Sequence, residues 1–211
     1  MKLKIEIYSD VICPWCFLGK WRLEMALELA GLRSEVDIHY RPFELNPSTP
    51  SAGLDRAEYL QSKYGSAIHS AHQRLAQMGE EAGIRYDFES PQKILNTFDA
   101  HRVIWLAEKE GVQEGVVESL FKAYFTGARD LGDKKVLAEI AESGGLDRTK
   151  VERLLNGGEG TEEVRAMEET AYNLGITGVP FFVFNGETAV SGAQSIGVFS
   201  KILSKLTGRK P

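Results

Sequence analysis

Two cysteines lie close together near the start of the chain. Cys13 and Cys16 are the only cysteines among the 211 residues, and they lie in the segment SDVICPWCFLGK. The first turn of a helix stabilises an anion, so a thiolate is favoured at that place, and the thiolate is the reactive form. A second cysteine one turn later can attack a mixed disulfide formed at the first. The spacing therefore predicts an exposed attacking thiol, Cys13, and a shielded resolving thiol, Cys16.

Two other interpretations of the pair are weaker. A structural zinc site needs about four Cys or His ligands, and the chain has no second cysteine pair. Its four histidines are scattered, although His69 and His72 can share one helix face. Cysteines also pack as inert small hydrophobes. No metal site is predicted, and a redox-active pair is favoured because CPWC follows a strand and begins a helix.

The elements around the cysteines form a βαβ pattern. Leu3, Ile5 and Ile7 alternate with charged residues, which predicts a strand. Apolar residues at spacings of three or four predict a helix over 15–30, with Pro14 suited to its first position. A second strand is predicted within 35–45. Strand, helix and strand at this spacing indicate a parallel pair joined by a right-handed crossover.

The remainder of the chain is predicted to be a block of helices followed by an α-β-β-α unit. Residues 54–156 are predicted as successive helices, in which Asp133 and Asp147 occupy N-cap positions. The sequence GGEG at 157–160 breaks the block, and Thr161 is predicted to cap the next helix. The apolar run VPFFVF, the turn signal NG and the segment ETAVSG predict a hairpin. A final helix is predicted from about residue 195 to 206.

Composition excludes several classes of function. The net charge of −5, the pI near 5.5 and the lack of a long basic stripe argue against nucleic-acid binding. The segment MKLKIEIYSD is interrupted by charges, so no secretion signal is expected, and no apolar window has the length of a membrane span. The chain is therefore predicted to be cytoplasmic, without a membrane partner. In that compartment a lone cysteine pair favours catalysis over a structural disulfide.

Five segments together resemble the DsbA family of thioredoxin-fold oxidoreductases, in its FrnE-like cytoplasmic branch. They are SDVICPWCFLGK, RPFELNP, NTFDAHR, GVPFFVFNG and SGAQ, and the resemblance covers essentially the whole chain. It implies an α/β fold, in which a thioredoxin domain of residues 1–47 plus 159–211 is interrupted by an all-helical insertion at 48–158. The implied activity is thiol–disulfide oxidoreduction without a resident cofactor, by a monomer or homodimer.

Two groups of relatives within the same fold leave alternatives open. 2-Hydroxychromene-2-carboxylate isomerases and kappa-class glutathione transferases carry serine at the place of Cys13 and hold glutathione there. The intact CPWC favours redox chemistry, with a thiol- or disulfide-bearing protein as partner or glutathione as co-substrate. A glutathione-dependent isomerase or transferase acting on a small aromatic compound is the first alternative. A chaperone-like disulfide isomerase is the second.

The resemblance implies a substrate site opposite the cysteines. The proline of GVP matches the cis-proline of thioredoxin folds, so Val179-Pro180 is expected to be cis. The backbone of Val179 is then expected to pair with a bound thiol or peptide. Pro14 and Trp15 are assigned to the same substrate site, although simple packing explains Trp15 equally well.

Several further residues are candidates for lining the site. Asp10 is a possible acceptor for the Cys16 proton, but a turn residue is favoured. His101 is a candidate for stabilising the Cys13 thiolate, but an ordinary helix residue is favoured. Asn96 belongs to the same family-like segment as His101. The remaining candidates match the segment in which glutathione-binding relatives hold the γ-glutamyl end of the tripeptide: Gly192, Ala193 and Gln194.

Overall fold

A computed structural model describes residues 2–90 and 92–209 of the protein. Four strands form one mixed sheet in the order β2-β1-β5-β6. Their bounds are Leu3–Ser9 for β1, Val36–Pro42 for β2, Phe181–Phe184 for β5 and Thr188–Ser191 for β6. Strand β1 pairs in parallel with β2 and antiparallel with β5, which in turn pairs antiparallel with β6. The predicted parallel βαβ unit and the predicted hairpin are both confirmed.

Helices cover both faces of this sheet. On one face α1 (Pro14–Leu29) packs beside α9 (Ile196–Thr207). The ring of Phe182 on β5 meets that of Phe199 on α9, with centroids 4.9 Å apart. On the other face Tyr8 of β1 packs in a small apolar cluster with Ala171 of α8 (Thr161–Asn173). The alternation along β1 thus buries Leu3, Ile5 and Ile7 on the α1 face, whereas on the other face Tyr8 is buried beside α8 and Lys4 is exposed.

Six helices form the block between β2 and α8. They are α2 (Arg56–Tyr64), α3 (Ala67–Glu81), α4 (Phe98–Lys109), α5 (Gln113–Phe125), α6 (Lys134–Ser143) and α7 (Arg148–Asn156). Phe17 of α1 stacks on Phe121 of α5 with ring centroids 5.2 Å apart. One continuous set of buried apolar side chains joins the block to the sheet and α1. The cysteine-bearing helix is therefore held from both sides.

The expectation of helix after helix over 54–156 is wrong in one region. Two short strands, β3 (Leu54–Asp55) and β4 (Lys93–Ile94), pair antiparallel, and residues 82–92 carry no helix where the structure describes them. The buried Arg56 side chain organises this segment by donating to the Phe88 carbonyl at 2.8 Å and to the Gln92 side chain. A strand of two residues is too short to show the alternation of apolar and polar residues by which strands are predicted.

The predicted helix caps are confirmed in part. Asp133 accepts from the Lys135 amide at 2.8 Å, and Asp147 accepts from the Lys150 amide at 2.9 Å. Thr161 is not a cap, since it is the first residue of α8.

Gly160 takes the cap position before α8, with φ of +78°. A Cβ atom at Gly160 would lie 2.7 Å from the Trp105 ring. Backbone conformation and close packing therefore both require glycine there, whereas the prediction considered only the capping hydroxyl of Thr161.

Candidate active site

The two cysteines are free thiols at the junction of β1 and α1. Cys13 is the N-cap residue and Pro14 is the first residue of the helix, as predicted. The Cys16 amide donates to the Cys13 carbonyl at 3.0 Å, which closes the first turn. No acidic residue lies in that turn. The Cys13 thiol therefore lies at the positive end of a 16-residue helix without a competing carboxylate in its first turn.

The prediction that Cys13 is exposed is wrong. Only 4% of Cys13 and 2% of Cys16 are accessible. Cys13 lies beneath the segment before β5, with its sulfur 3.7 Å from the Val179 carbonyl oxygen. It is nevertheless part of the wall of a cavity, and Cys16 is not. The two thiols thus differ in access to a ligand, although they hardly differ in exposure.

Burial also separates the chemistry of the two thiols. Burial raises the pKa of Cys16 well above the usual thiol range, and the neighbouring Cys13 raises it further. Cys16 is therefore protonated at neutral pH and needs a proton acceptor before it can attack a disulfide.

The Val179-Pro180 bond is cis, as the resemblance implied. The Pro180 carbonyl accepts from the Gly192 amide at 2.8 Å, which ties this segment to the end of β6. Gly19 of α1 lies directly behind it, since a Cβ there would be 3.1 Å from the Pro180 ring and 3.2 Å from Phe182. The absent side chain at Gly19 lets the cysteine helix approach this segment closely. Sequence reasoning missed Gly19, whose only signal was a glycine within a helical pattern.

Asp10 is both a turn residue and a buried acid. Its carbonyl accepts from the Cys13 amide at 3.0 Å, which confirms the favoured prediction of a turn. Its carboxylate is fully buried, and Oδ2 accepts from the Leu45 amide at 2.8 Å. Its Oδ1 lies 3.6 Å from Nε2 of His101, which is also buried. Among the described residues neither of these two atoms has a hydrogen-bond partner. Asp10 and His101 therefore form a buried pair of polar side chains next to the start of α1.

The cavity has a volume of about 460 Å³ and lies between α1 and the helical block. Cys13, Trp15 and Val179 line one side, and side chains of α2 and α3 line the other. Pro14 is part of the wall, and its carbonyl accepts from the Tyr86 hydroxyl at 2.8 Å. The structure thus brings together four of the predicted site residues around one opening. A volume in this range is typical of small-molecule sites.

A family model described as DSBA-like thioredoxin domain matches residues 4–204 of the chain. The chain belongs to this family. Its architecture matches the probable DsbA oxidoreductase SCO1869 from Streptomyces coelicolor with a TM-score of 0.91 and 34% identity, over 99% of this chain and 92% of that one. Membership supports an enzyme of the redox or isomerase kind, with two neighbouring cysteines in a thioredoxin fold.

Two more distant structures share the fold of the DSBA-like chain. A 2-hydroxychromene-2-carboxylate isomerase has a TM-score of 0.71 at 18% identity, over 96% of this chain and 95% of that one. The cytosolic disulfide reductase DsbM from Pseudomonas aeruginosa, solved with GSH, has a TM-score of 0.68 at 15% identity, over 98% of this chain and all of that one. The isomerase belongs to one of the groups of relatives named in the resemblance, and the cytosolic reductase is consistent with the cytoplasmic branch.

Asn96 does not line the cavity of the DSBA-like chain. Its amide donates to the Glu44 carboxylate and to the Pro47 carbonyl, both at 3.2 Å. Glu44 also accepts from Arg165 at 2.6 Å, and its buried side chain was missed by sequence reasoning. Burial raises the pKa of Glu44 although the Arg165 guanidinium opposes the shift. Asn96 and Arg165 therefore support the segment after β2.

The segment Gly192–Gln194 also lies outside the cavity wall. The Ala193 carbonyl accepts from Arg22 of α1 at 2.7 Å, and the Gln194 side chain donates to the Ser191 carbonyl at 2.7 Å. These contacts attach the segment to α1 and β6. A role for Gly192, Ala193 and Gln194 in holding glutathione remains a prediction.

Within residues 2–90 and 92–209, no group of three or more His, Cys, Asp or Glu side chains is arranged to hold a metal ion. No helix in these ranges is both long and apolar enough to cross a membrane.

Proposed function

We propose that the protein is a thiol–disulfide oxidoreductase in which Cys13 is the nucleophile and Cys16 the resolving thiol. The observation that carries the proposal is the asymmetry of the pair. Cys13 caps α1 and reaches the cavity, whereas Cys16 lies one turn deeper with a raised pKa. In thiol–disulfide exchange an accessible thiolate attacks first, and a second thiol attacks the resulting mixed disulfide.

The proposed reaction has two steps. The Cys13 thiolate attacks one sulfur of a substrate disulfide, the substrate S–S bond breaks, and one substrate thiolate leaves. Cys16 then loses its proton and attacks the Cys13 sulfur, which forms the Cys13–Cys16 disulfide and releases the second substrate thiolate. The substrate gains two electrons and the protein loses two. The reverse sequence oxidises a dithiol, and glutathione is a suitable co-substrate for returning the pair to thiols.

Other residues position the reacting groups in this mechanism. The Val179 carbonyl, 3.7 Å from the Cys13 sulfur, fixes the place of the attacking thiol and of a bound extended segment. Pro14, Trp15 and Pro180 shape the adjoining surface. Asp10 is the acceptor that we assign to the Cys16 proton, with His101 beside it at 3.6 Å. We place the reaction in the cytoplasm, where disulfides are mostly transient and catalytic.

The glutathione-dependent isomerase remains the second candidate function. The observation that favours it is the cavity of about 460 Å³ beside Cys13, which has the size of a small-molecule site. In that mechanism the substrate joins glutathione rather than the enzyme, and Cys16 has no step to perform.

Turnover of a protein disulfide tests the proposal. The wild type is expected to reduce insulin disulfides with glutathione as the electron source, and Cys13→Ser is expected to be inactive. Lys201→Gln, on the exposed surface of α9, is the matched control and is expected to retain full activity. Equal activity of Cys13→Ser and the wild type would remove the proposal. Activity on an aromatic substrate that needs glutathione but survives loss of Cys16 would favour the isomerase.

A further inference from the structure

The cavity beside Cys13 carries positive charge and no negative charge in its walls. Arg56, Lys63 and Arg74 line it, and none of the lining residues is aspartate or glutamate. The whole chain has 30 acidic and 25 basic residues, so this composition departs from that of the molecule. A concave wall of one sign concentrates ligands of the opposite sign.

The three cations lack carboxylate partners. In the parts of the chain that the structure describes, none of the three forms an ion pair. Lys63 donates to the Tyr59 hydroxyl at 3.0 Å, and its ammonium group lies over the Tyr64 ring, 5.6 Å from the centroid. Cations on the far side of the block differ, since Lys150 of α7 binds Glu110 at 2.8 Å. The cavity therefore contains three cations without a direct ion pair, although Asp55, Asp87 and Glu89 act on Arg56 from a greater distance.

Arg56 is the most deeply placed of the three. It is 6% exposed, and its guanidinium donates to neutral acceptors, namely the Gln92 side chain and backbone carbonyls such as that of Phe88. A buried cation without a direct ion pair is costly, and a bound anion lowers that cost. Burial lowers the pKa of Arg56 accordingly.

Apolar and aromatic groups make up most of the rest of the wall. His72 stacks on Phe88 with ring centroids 4.1 Å apart, and Trp15 and Tyr64 are 38% and 52% exposed at the opening. Such surfaces take up flat apolar bodies. The lining therefore suits a ligand that has an aromatic or other apolar body and a carboxylate. Because Cys13 is part of the same wall, a sulfur atom of such a ligand can react with it.

We propose that the cavity selects low-molecular-weight disulfides and thiols that combine an apolar body with a carboxylate. The carboxylate faces Arg56, Lys63 and Arg74, and the sulfur faces Cys13. This assignment rests on the proposed function and names its substrate class. With a disulfide ligand, the Cys13 thiolate forms the new S–S bond, the S–S bond of the ligand breaks, and the other half of the ligand leaves as a thiolate. A thiol ligand reacts in the reverse direction: its thiolate attacks Cys13 of the Cys13–Cys16 disulfide, and Cys16 leaves as the thiolate.

The test compares two aromatic disulfides in a Cys16→Ser background, where Cys13 can form a mixed disulfide but cannot be resolved. Dithiobis-nitrobenzoate carries two carboxylates, and dithiodipyridine is neutral. The rate of Cys13 modification is measured with each, by released chromophore and by intact mass. Lys63→Gln with Arg74→Gln removes two cavity charges, and Lys201→Gln with Lys205→Gln removes two charges on α9 as the matched control.

The cavity variant is expected to react about tenfold more slowly with the dianionic disulfide and nearly unchanged with the neutral one. The control variant is expected to change neither rate. In the protein that keeps Lys63 and Arg74, a higher salt concentration is expected to slow the reaction with the dianionic disulfide but not with the neutral one. This measurement does not depend on the folding of the cavity variant. Equal effects on both disulfides, or no salt effect, would overturn the substrate class while leaving exchange intact.

A disulfide-bonded unfolded protein serves as a further probe. If the cavity variant slows its reaction as much as that of the dianionic disulfide, the cavity serves a protein segment and the proposal is wrong. If neither small disulfide modifies Cys13 in any variant, the proposed function fails as well, so the two failures are distinguishable.

Discussion

The two sides of the cysteine pair differ in access and in charge. On the inner side Asp10 and His101 are buried, and two of their polar atoms have no hydrogen-bond partner within the described residues. On the outer side the cavity is open, and its charged side chains are all cations. The inner side therefore carries a buried Asp–His pair closed off from solvent, and the outer side is suited to holding a ligand. The two thiols thus lie between two different electrostatic environments.

Loss of the inner acid is expected to have the largest effect among the substitutions outside the pair. Asp10→Asn keeps the shape and an acceptor for the Leu45 amide, but it removes the proton acceptor that we assign to Cys16. Release of the mixed disulfide is expected to slow about a hundredfold near neutral pH.

The pH dependence of release separates a proton-transfer role of Asp10 from a structural role. Stopped-flow measurement is expected to show that the Asp10→Asn defect shrinks as pH rises, because Cys16 then ionises without help. First attack by Cys13 on dithiodipyridine, followed in the same variant, is the control and is expected to change little. A defect of equal size at every pH would contradict the assignment.

Gly19 lies where α1 meets the segment that contains Val179 and Pro180, close to both sides of the cysteine pair. A methyl group there lies 3.1 Å from the Pro180 ring, so α1 and the Val179 segment must move apart by a few tenths of an ångström. Gly19→Ala is expected to lower exchange rates by about tenfold or less, since reacting groups are sensitive to such shifts. The loss is expected to be the same for anionic and neutral disulfides. A loss confined to the anionic disulfide would place Gly19 in ligand selection instead.

The smallest expected effect concerns stability. The folded state raises the pKa of Cys16 above its ordinary value near 9, so the unfolded chain releases this proton first as pH increases. The contribution of Cys16 to the free energy of unfolding is therefore fully present at pH values below the ordinary thiol pKa. Above that pKa the free energy of unfolding declines, by up to about 1.4 kcal/mol for each pH unit.

Urea unfolding of the reduced protein across this pH range is the measurement for this effect. The wild type is expected to lose more stability than Cys16→Ser, which lacks the titrating group. Parallel curves for the two proteins would show that Cys16 does not titrate abnormally.

The sheet and its order of elements were predictable because their signals are local. The alternation of Leu3, Ile5 and Ile7, and the turn at Asn185 and Gly186, identify strands without knowledge of the fold. The strands β3 and β4 were not predictable, because each is two residues long and the segment that joins them is held by a bond from Arg56, next to β3, to Phe88, 32 residues later in the chain.

Only those residues of the candidate site that belong to short sequence motifs were predictable. Cys13, Cys16 and the cis bond before Pro180 follow from short segments and the resemblance. The burial of Cys13 depends on the segment before β5, and the cationic wall depends on how α2 and α3 are placed opposite Cys13. No local sequence pattern predicts either arrangement. The contact of Asp10 with His101 likewise joins residues from distant parts of the chain.

Mass analysis of trapped intermediates tests the central claim most directly. After exposure to oxidised glutathione, Cys16→Ser is expected to carry one glutathione on Cys13 that a reducing agent removes. Cys13→Ser is expected to remain unmodified, because Cys16 is buried and protonated. The wild type is expected to end as the Cys13–Cys16 disulfide. An unmodified Cys16→Ser protein with full wild-type activity would contradict the account.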